Sequence, residues 1–382
     1  MRRWIDNLSG VNYKEGRMTS RERIEKAWRF EEPDRVPFEL YITREAQENP
    51  VSRRLNDLIA QYADNWNAWS PSWGWFGMDY EDEEATTEET KGEFKRIRCK
   101  RHTSAGTFVQ ITRHPVSTSD YHYEKHFIST LDDLERLTFA DRKRISGEGF
   151  DRDNYRGRFV TTTIPHPFGL LSRATDQVEF YTWVATEKEK LHAFFKAYTD
   201  YIVTELKRLM VFDVPRYFSQ GGLEMAIDPW MSPVSLEELV VPYDKQINET
   251  LHSFGGKVRH HCHGNAMDYL ETFCRMGLDG IEPCEPPPQA NVDLKRAKQL
   301  VGDRMLLCGN VPSPQFQTMD PSETREFVRQ TIRDAAPGGG FILRTTGGDA
   351  GTWESKDLPR VIANCEAMVE AALEFGEYPI RV

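Results

Sequence analysis

In the last third of the chain, short apolar runs alternate with longer segments whose apolar positions recur every three or four residues. "KVRHHCH" (257–263) reads as a strand, and "AMDYLETFCRMG" (266–277) as a helix closed by glycine. "LDGIEPC" (278–284) is a strand, "VDLKRAKQLVG" (292–302) a helix and "RMLLCGN" (304–310) a strand. A helix at 320–339, opened by Asp-Pro, a strand at 340–346 and a helix at 357–376 continue the alternation. Earlier, strands are expected at 34–42, 158–164 and 215–220, and helices at 187–210 and 235–256; a capped helix, "TSRERIEKAWRFE", precedes the first strand. The Trp-rich stretch 64–80 is where an eighth strand is expected. Strands alternating with helices through short loops make a parallel sheet. The pattern predicts a single (β/α)8 barrel domain over 1–382, with an N-terminal elaboration. An open doubly wound sheet is the alternative. The segment 93–114 alternates apolar and polar residues about Ser-Ala-Gly, which predicts an inserted β-hairpin. No GxGxxG or Walker A sequence opens a helix.

Charge and composition narrow the class of protein. A net charge of −11 argues against a nucleic-acid or anionic-membrane surface. The first residues lack an apolar signal-like run, and no apolar stretch approaches the ~18 residues of a membrane span. Six dispersed cysteines without a CxxC pair read as reduced thiols, so a cytoplasmic enzyme is expected. The run 79–90, "DYEDEEATTEET", reads as a solvated acidic loop.

The chemistry concentrates in "VRHHCHGN" (258–265). On a strand, side chains alternate faces, so His261 and His263 share one face while His260 and Cys262 share the other. At the C-terminal mouth of a barrel, where such enzymes keep their active sites, the first pair can reach one metal. Polar residues also follow other strands: Glu224, Glu282, Glu285, Asn310 and Asp349. Imidazole and carboxylate ligands suit zinc, and a catalytic zinc needs three protein ligands and one open position. Glu285 is the expected third ligand, with Glu224 and Asp349 as alternatives; Glu282 is expected to turn toward a helix. His166 and Arg173, after another strand end, and Arg44, beside the first strand, are candidate substrate contacts, as is Asn310. The tryptophans at 66–75 are expected in core or lid packing, and Cys308 in the core.

Four segments carry a family likeness: "MTSRERIEKAWRFEEPDRVPF", "SPVSLEELVVPYDKQINETLHSFGGKVRHHCHGN", "LLCGNV" and "NCEAMVEAALEFGEYP". Together they resemble the uroporphyrinogen decarboxylase superfamily. That resemblance implies a (β/α)8 barrel and either a haem-pathway decarboxylase or a corrinoid-linked methyltransferase. The decarboxylase carries an Arg-rich segment after its first strand; here the place reads "FELYITREAQENP", with one arginine. The methyltransferase branch binds zinc through His-x-Cys and a distant Cys. His261-x-His263 keeps the spacing with imidazole for thiolate, and "RTTGGDAGTW" has no cysteine. A harder N/O site suits an oxygen leaving group better than a thiol.

The expectation is therefore a zinc-dependent enzyme moving a methyl group from a small methoxylated or methylated donor to cobalamin on a separate corrinoid protein. Zinc at His261 and His263 would hold the substrate oxygen, and Glu224 would protonate it. A decarboxylase-like lyase, or another metal-assisted enzyme on the same barrel, is the alternative. "DYHYEK" (120–125) only superficially resembles a corrinoid-binding signature. The oligomeric state stays open, a homodimer included.

Overall fold

The computed structural model describes residues 18–89, 92–117, 120–347 and 357–382. The first strands, β1 (Phe38–Glu39) and β2 (Asn67–Trp69), are followed by four strands of a separate sheet, β3 (Tyr80–Glu89), β4 (Phe94–Thr103), β5 (Gly106–Pro115) and β6 (His122–Lys125). Then come β7 (Val160–Thr163), β8 (Tyr217–Gly221), β9 (Lys257–His261), β10 (Gly280–Glu282), β11 (Leu306–Val311) and β12 (Phe341–Thr345). Eight of these form one parallel sheet in the order β1-β12-β11-β10-β9-β8-β7-β2. Side chains bridge its two end strands. Asn65 exchanges hydrogen bonds with both backbone groups of Leu40, each 3.0 Å, and the Asp64 carboxylate accepts from Phe38 N–H at 3.2 Å. Asp64 N–H donates to Phe38 O at 2.7 Å. The sheet thus closes as a (β/α)8 barrel, and the eighth strand lies within the Trp-rich stretch as expected.

Helices cover the outside of the barrel. The helix expected at 235–256 is two, Pro233–Leu239 and Val241–Ser253, divided beside Pro242, whose missing N–H interrupts the ladder. Helix Ser20–Trp28, opened by a Thr19/Glu22 capping box, plugs the bottom of the barrel. Its Ile24, Ala27 and Trp28 pack with Trp66, Phe159, Leu306, Cys308 and Ile342.

The expected hairpin is the centre of a larger unit. β3 to β6 form a four-stranded antiparallel sheet inserted between β2 and β7, with the β4–β5 turn at Ser104–Ala105. Trp75, Phe108 and Phe127 pack together at its root, which gives this part of the Trp cluster its core role. The acidic run is no loop. Residues 80–89 form the edge strand β3, stabilised by opposite charges across the ladder: Asp82 with Arg101 and Glu83 with Lys100. "DYHYEK" contributes β6. Among the described residues, no helix is long and apolar enough to cross a membrane.

Candidate active site at the barrel mouth

The barrel interior is charged above its aromatic floor. Glu39 on β1, Arg259 on β9, Glu282 on β10 and Arg344 on β12 meet although their strands are not all neighbours, so their side chains lie inside the barrel. Glu282 is the hub. It accepts from Arg259 and Arg344 and contacts His261 Nδ1 at 3.2 Å. Arg259 also stacks over the Trp66 ring, 4.0 Å from its centroid. The expectation that Glu282 turns toward a helix is corrected: its strand position makes it interior, the buried Arg259 and the partly buried Arg344 hold its charge, and it is 4% exposed.

His261 ends β9, and the chain turns outward at Gly264, whose φ of 88° suits glycine. His261 and His263 lie together, ring centroids 4.5 Å apart and nearly perpendicular. His263 Nδ1 sits 2.8 Å from Glu285 Oε1, while Glu285 Oε2 accepts from Gly264 N–H at 2.8 Å. Each imidazole is therefore fixed at Nδ1 by its own glutamate, and among the described residues neither Nε2 has a hydrogen-bond partner. Both side chains are partly exposed, 37% and 41%. Burial, with His263 and Arg344 adding to it, pushes His261 down to about 4. The hydrogen bond to Glu285 raises His263 above its ordinary value. Burial pushes the Glu285 carboxyl up, but hydrogen bonds from His263 and Gly264 outweigh it and leave it below the usual range.

The residue between the histidines faces away. Cys262 is 1% exposed, and burial holds its thiol well above the usual value, so it offers no thiolate to the mouth. His260 is fully buried on the helix side, its Nε2 2.8 Å from Gln220 Oε1.

Of the remaining candidates Glu224 stays near the mouth, where its charge acts on both histidines, and the others scatter. Glu224 follows β8 in a 3-10 turn, where Oε1 accepts from Arg173 at 2.8 Å and Oε2 from Gly222 N–H at 3.1 Å. Those two residues form a rim pair. Behind it Tyr181 donates to Met225 O and stacks on Trp230. His166 does not reach the mouth. It caps helix Pro167–Ala174, is 2% exposed and contacts Asp244 Oδ2 at 3.1 Å. Asn310 accepts from Thr331 on helix Pro321–Ala335, so it faces the helical layer. Arg44 is exposed and pairs with Glu48 one turn on. Asp349 lies outside the described residues.

Sequence reasoning missed Glu39, Arg259 and Arg344 as interior groups. The signal was present: a charged residue inside an apolar strand, two positions from His261 in the case of Arg259, belongs to the polar face of that strand.

In overall structure the chain is similar to a methyltransferase from Methanosarcina mazei, with 16% identity, a TM-score of 0.51, and coverage of 94% of this chain and 99% of that one. It is also similar to muconate lactonizing enzyme from Pseudomonas putida, at 11% identity, a TM-score of 0.25, and coverage of 76% and 77%. No curated protein matches in sequence. The family model described as uroporphyrinogen decarboxylase (URO-D) matches residues 160–371, which run from β7 to the last helix and make up more than half of the chain. With its closed parallel barrel, the chain belongs to the uroporphyrinogen decarboxylase family.

Proposed function

We propose that this protein is a methyltransferase that takes a methyl group from a small methoxylated or methylated compound and delivers it to cobalamin carried by a separate corrinoid protein, with zinc at the barrel mouth. The observation that carries this reading is the pair of histidines, each held at Nδ1 by a carboxylate and open at Nε2. A carboxylate or carbonyl behind Nδ1 is how metal-binding imidazoles are oriented, because it keeps the proton on Nδ1 and the lone pair on Nε2. His261 and His263 therefore fit zinc as ligands, and Glu282 and Glu285 fit as their orienting partners. Glu285 already holds His263 and Gly264 N–H. To become the third ligand it must give up one of these contacts. When bound, zinc supplies a Lewis acid for the oxygen that loses the methyl group.

The chain's own residues account for the rest. The arginines under His261 are committed to Glu282 and Glu39, which leaves little free positive charge for a substrate with many carboxylates. This favours a small donor over a tetrapyrrole. Glu224, whose charge acts on both mouth histidines, is the group that could protonate the leaving oxygen. Its contacts with Arg173 and Gly222 N–H engage both carboxylate oxygens, so presenting Glu224 to a substrate requires Arg173, half exposed, to swing away. The likeness in fold to a protein called a methyltransferase is in keeping with the proposal.

The test is methylation of cob(I)alamin by a panel of methoxyaromatics, methanol and methylamines. Glu224→Gln should slow transfer by roughly 10²–10⁴-fold while leaving zinc content unchanged. A variant as fast as wild type removes Glu224 from the chemistry.

A further inference from the structure

Behind the mouth, on the other face of β9, lies a second cluster. Among the described residues, one set of three His, Cys, Asp or Glu side chains has ligand atoms all within 4.8 Å of one another: His166, Asp244 and His260. The residues come from the loop after β7, from helix Val241–Ser253 and from β9. Gln220 on β8 adds an amide oxygen 2.8 Å from His260 Nε2. Its orientation is set by donation from its own Nε2 to Pro165 O at 3.0 Å. All four residues are 2% exposed or less.

Two observations set this cluster apart from ordinary buried polar packing. The Asp244 carboxylate is buried with two histidines and no lysine or arginine paired to it among the described residues. A buried anion without a counter-cation is costly, whereas a divalent cation between carboxylate and imidazoles neutralises it. The spacing also suits a metal. His166 Nε2 to Asp244 Oδ2 is 3.1 Å, His260 Nε2 to the same oxygen 3.9 Å, and His260 Nε2 to Gln220 Oε1 2.8 Å. Four ligands about 2.0–2.1 Å from a tetrahedral ion stand about 3.3 Å apart. The backbone is built closely around the ring: a Cβ on Gly169 or Gly222 would stand 2.9 or 3.3 Å from His166 Nδ1.

We propose that His166, Gln220, Asp244 and His260 form a closed, four-ligand structural site for a divalent cation of the zinc class, set in the barrel wall and separate from the mouth. Imidazole and carboxylate donors suit such an ion, and a closed site leaves no position for substrate. The ion would tie two strands, one strand-end loop and one helix together directly behind His261. The change it demands is local. Coordination through His166 Nε2 moves that ring's proton to Nδ1, and the Gly169 N–H, 3.3 Å away, must turn from it. The inference stands whether or not the mouth binds metal.

The test uses the full chain, stripped with chelator and reloaded with Co(II) or Zn(II). Bound metal is counted by elemental analysis, and coordination is read from the visible absorption of tetrahedral Co(II). Wild type should hold two equivalents, the His261→Ala, His263→Ala double variant one equivalent with a tetrahedral spectrum, and Asp244→Asn one equivalent. If the mouth reading alone is wrong, wild type holds a single equivalent that Asp244→Asn removes. If the wall site alone is wrong, the single equivalent disappears in the double variant and is untouched by Asp244→Asn. Metal-free wild type overturns both. Should Asp244→Asn not fold, judged by far-UV circular dichroism, the melting temperature of the double variant decides: Zn(II) must raise it, by linkage, and His260→Gln must abolish the rise. A double variant whose melting ignores zinc overturns the proposal.

Discussion

Replacing Glu282 by Gln probes the join between the charged interior and the mouth. The carboxylate is 4% exposed and answers the buried Arg259 and the partly buried Arg344, so its neutralisation leaves positive charge uncompensated inside the barrel. Breaking such a buried pair costs about 3–5 kcal/mol. Glu39 remains 3.3 Å from Arg344 as a counter-charge, which favours the lower end, about 3 kcal/mol. Unfolding entropy of about 2.1 cal/mol/K per residue over 382 residues is roughly 0.8 kcal/mol/K, so the melting temperature should fall by about 4 °C. The same substitution removes the partner that fixes His261 Nδ1. Zinc affinity at the mouth should weaken by roughly 10–100-fold, the usual effect of losing such a partner. Calorimetry gives the first quantity, and competition with a chelating dye, in an Asp244→Asn background, gives the second. A Glu282→Gln protein that melts with the wild type and binds zinc equally well refutes the interior-hub reasoning.

Three further outcomes are expected. Asp64→Asn should destabilise by about 3–5 kcal/mol in denaturant titration, because Asp64, 1% exposed, answers Arg23 at 2.6 Å and Arg35 at 2.7 Å where β1 meets β2. Gly169→Ala should cost about 1–3 kcal/mol, since its Cβ would stand 2.7 Å from Gly222 Cα and 3.0 Å from Gly221 O; a neutral result would mean the backbone relaxes freely there. The hydrogen bond to Asp279 raises His252 above its ordinary value. The stabilisation is therefore fully present below the unfolded value of about 6.5 and is lost as pH rises through the raised folded value. The melting difference between wild type and His252→Gln should accordingly shrink from pH 6 toward pH 8 (about one unit either side of neutrality), and a constant difference would deny the coupling.

Much of this fold is legible in the sequence because apolar period and turn residues are local signals. The helices at 188–209 and 358–375 and the seven strands expected outside the Trp-rich stretch fall close to their predicted places. The four-stranded insertion was half visible. β4 and β5 alternate apolar and polar residues, but β3 is a run of acids whose strand character comes from Arg101 and Lys100 across the ladder. At the site, strand alternation alone separates His261 from Cys262, and the structure has them on opposite faces. What alternation could not supply was distance in the folded chain. Asp244 sits on a helix with no local sign that it meets His166 and His260. Glu224 was readable as a candidate acid, but its partner Arg173 was not, being 51 residues away in the chain. Arg44 and Asn310 followed strands, but one faces solvent and the other a helix, since proximity to a strand end does not fix a side chain's direction.

The central claim concerns the reaction at the mouth, and the cobalamin spectrum tests it most directly. Purified protein with zinc, cob(I)alamin and a methoxylated or methylated donor should convert the cofactor to methylcobalamin and release the demethylated product. The His261→Ala, His263→Ala variant should lose that conversion while keeping its fold. No methylcobalamin from any donor in the panel, together with decarboxylation of uroporphyrinogen by the same preparation, would contradict the account.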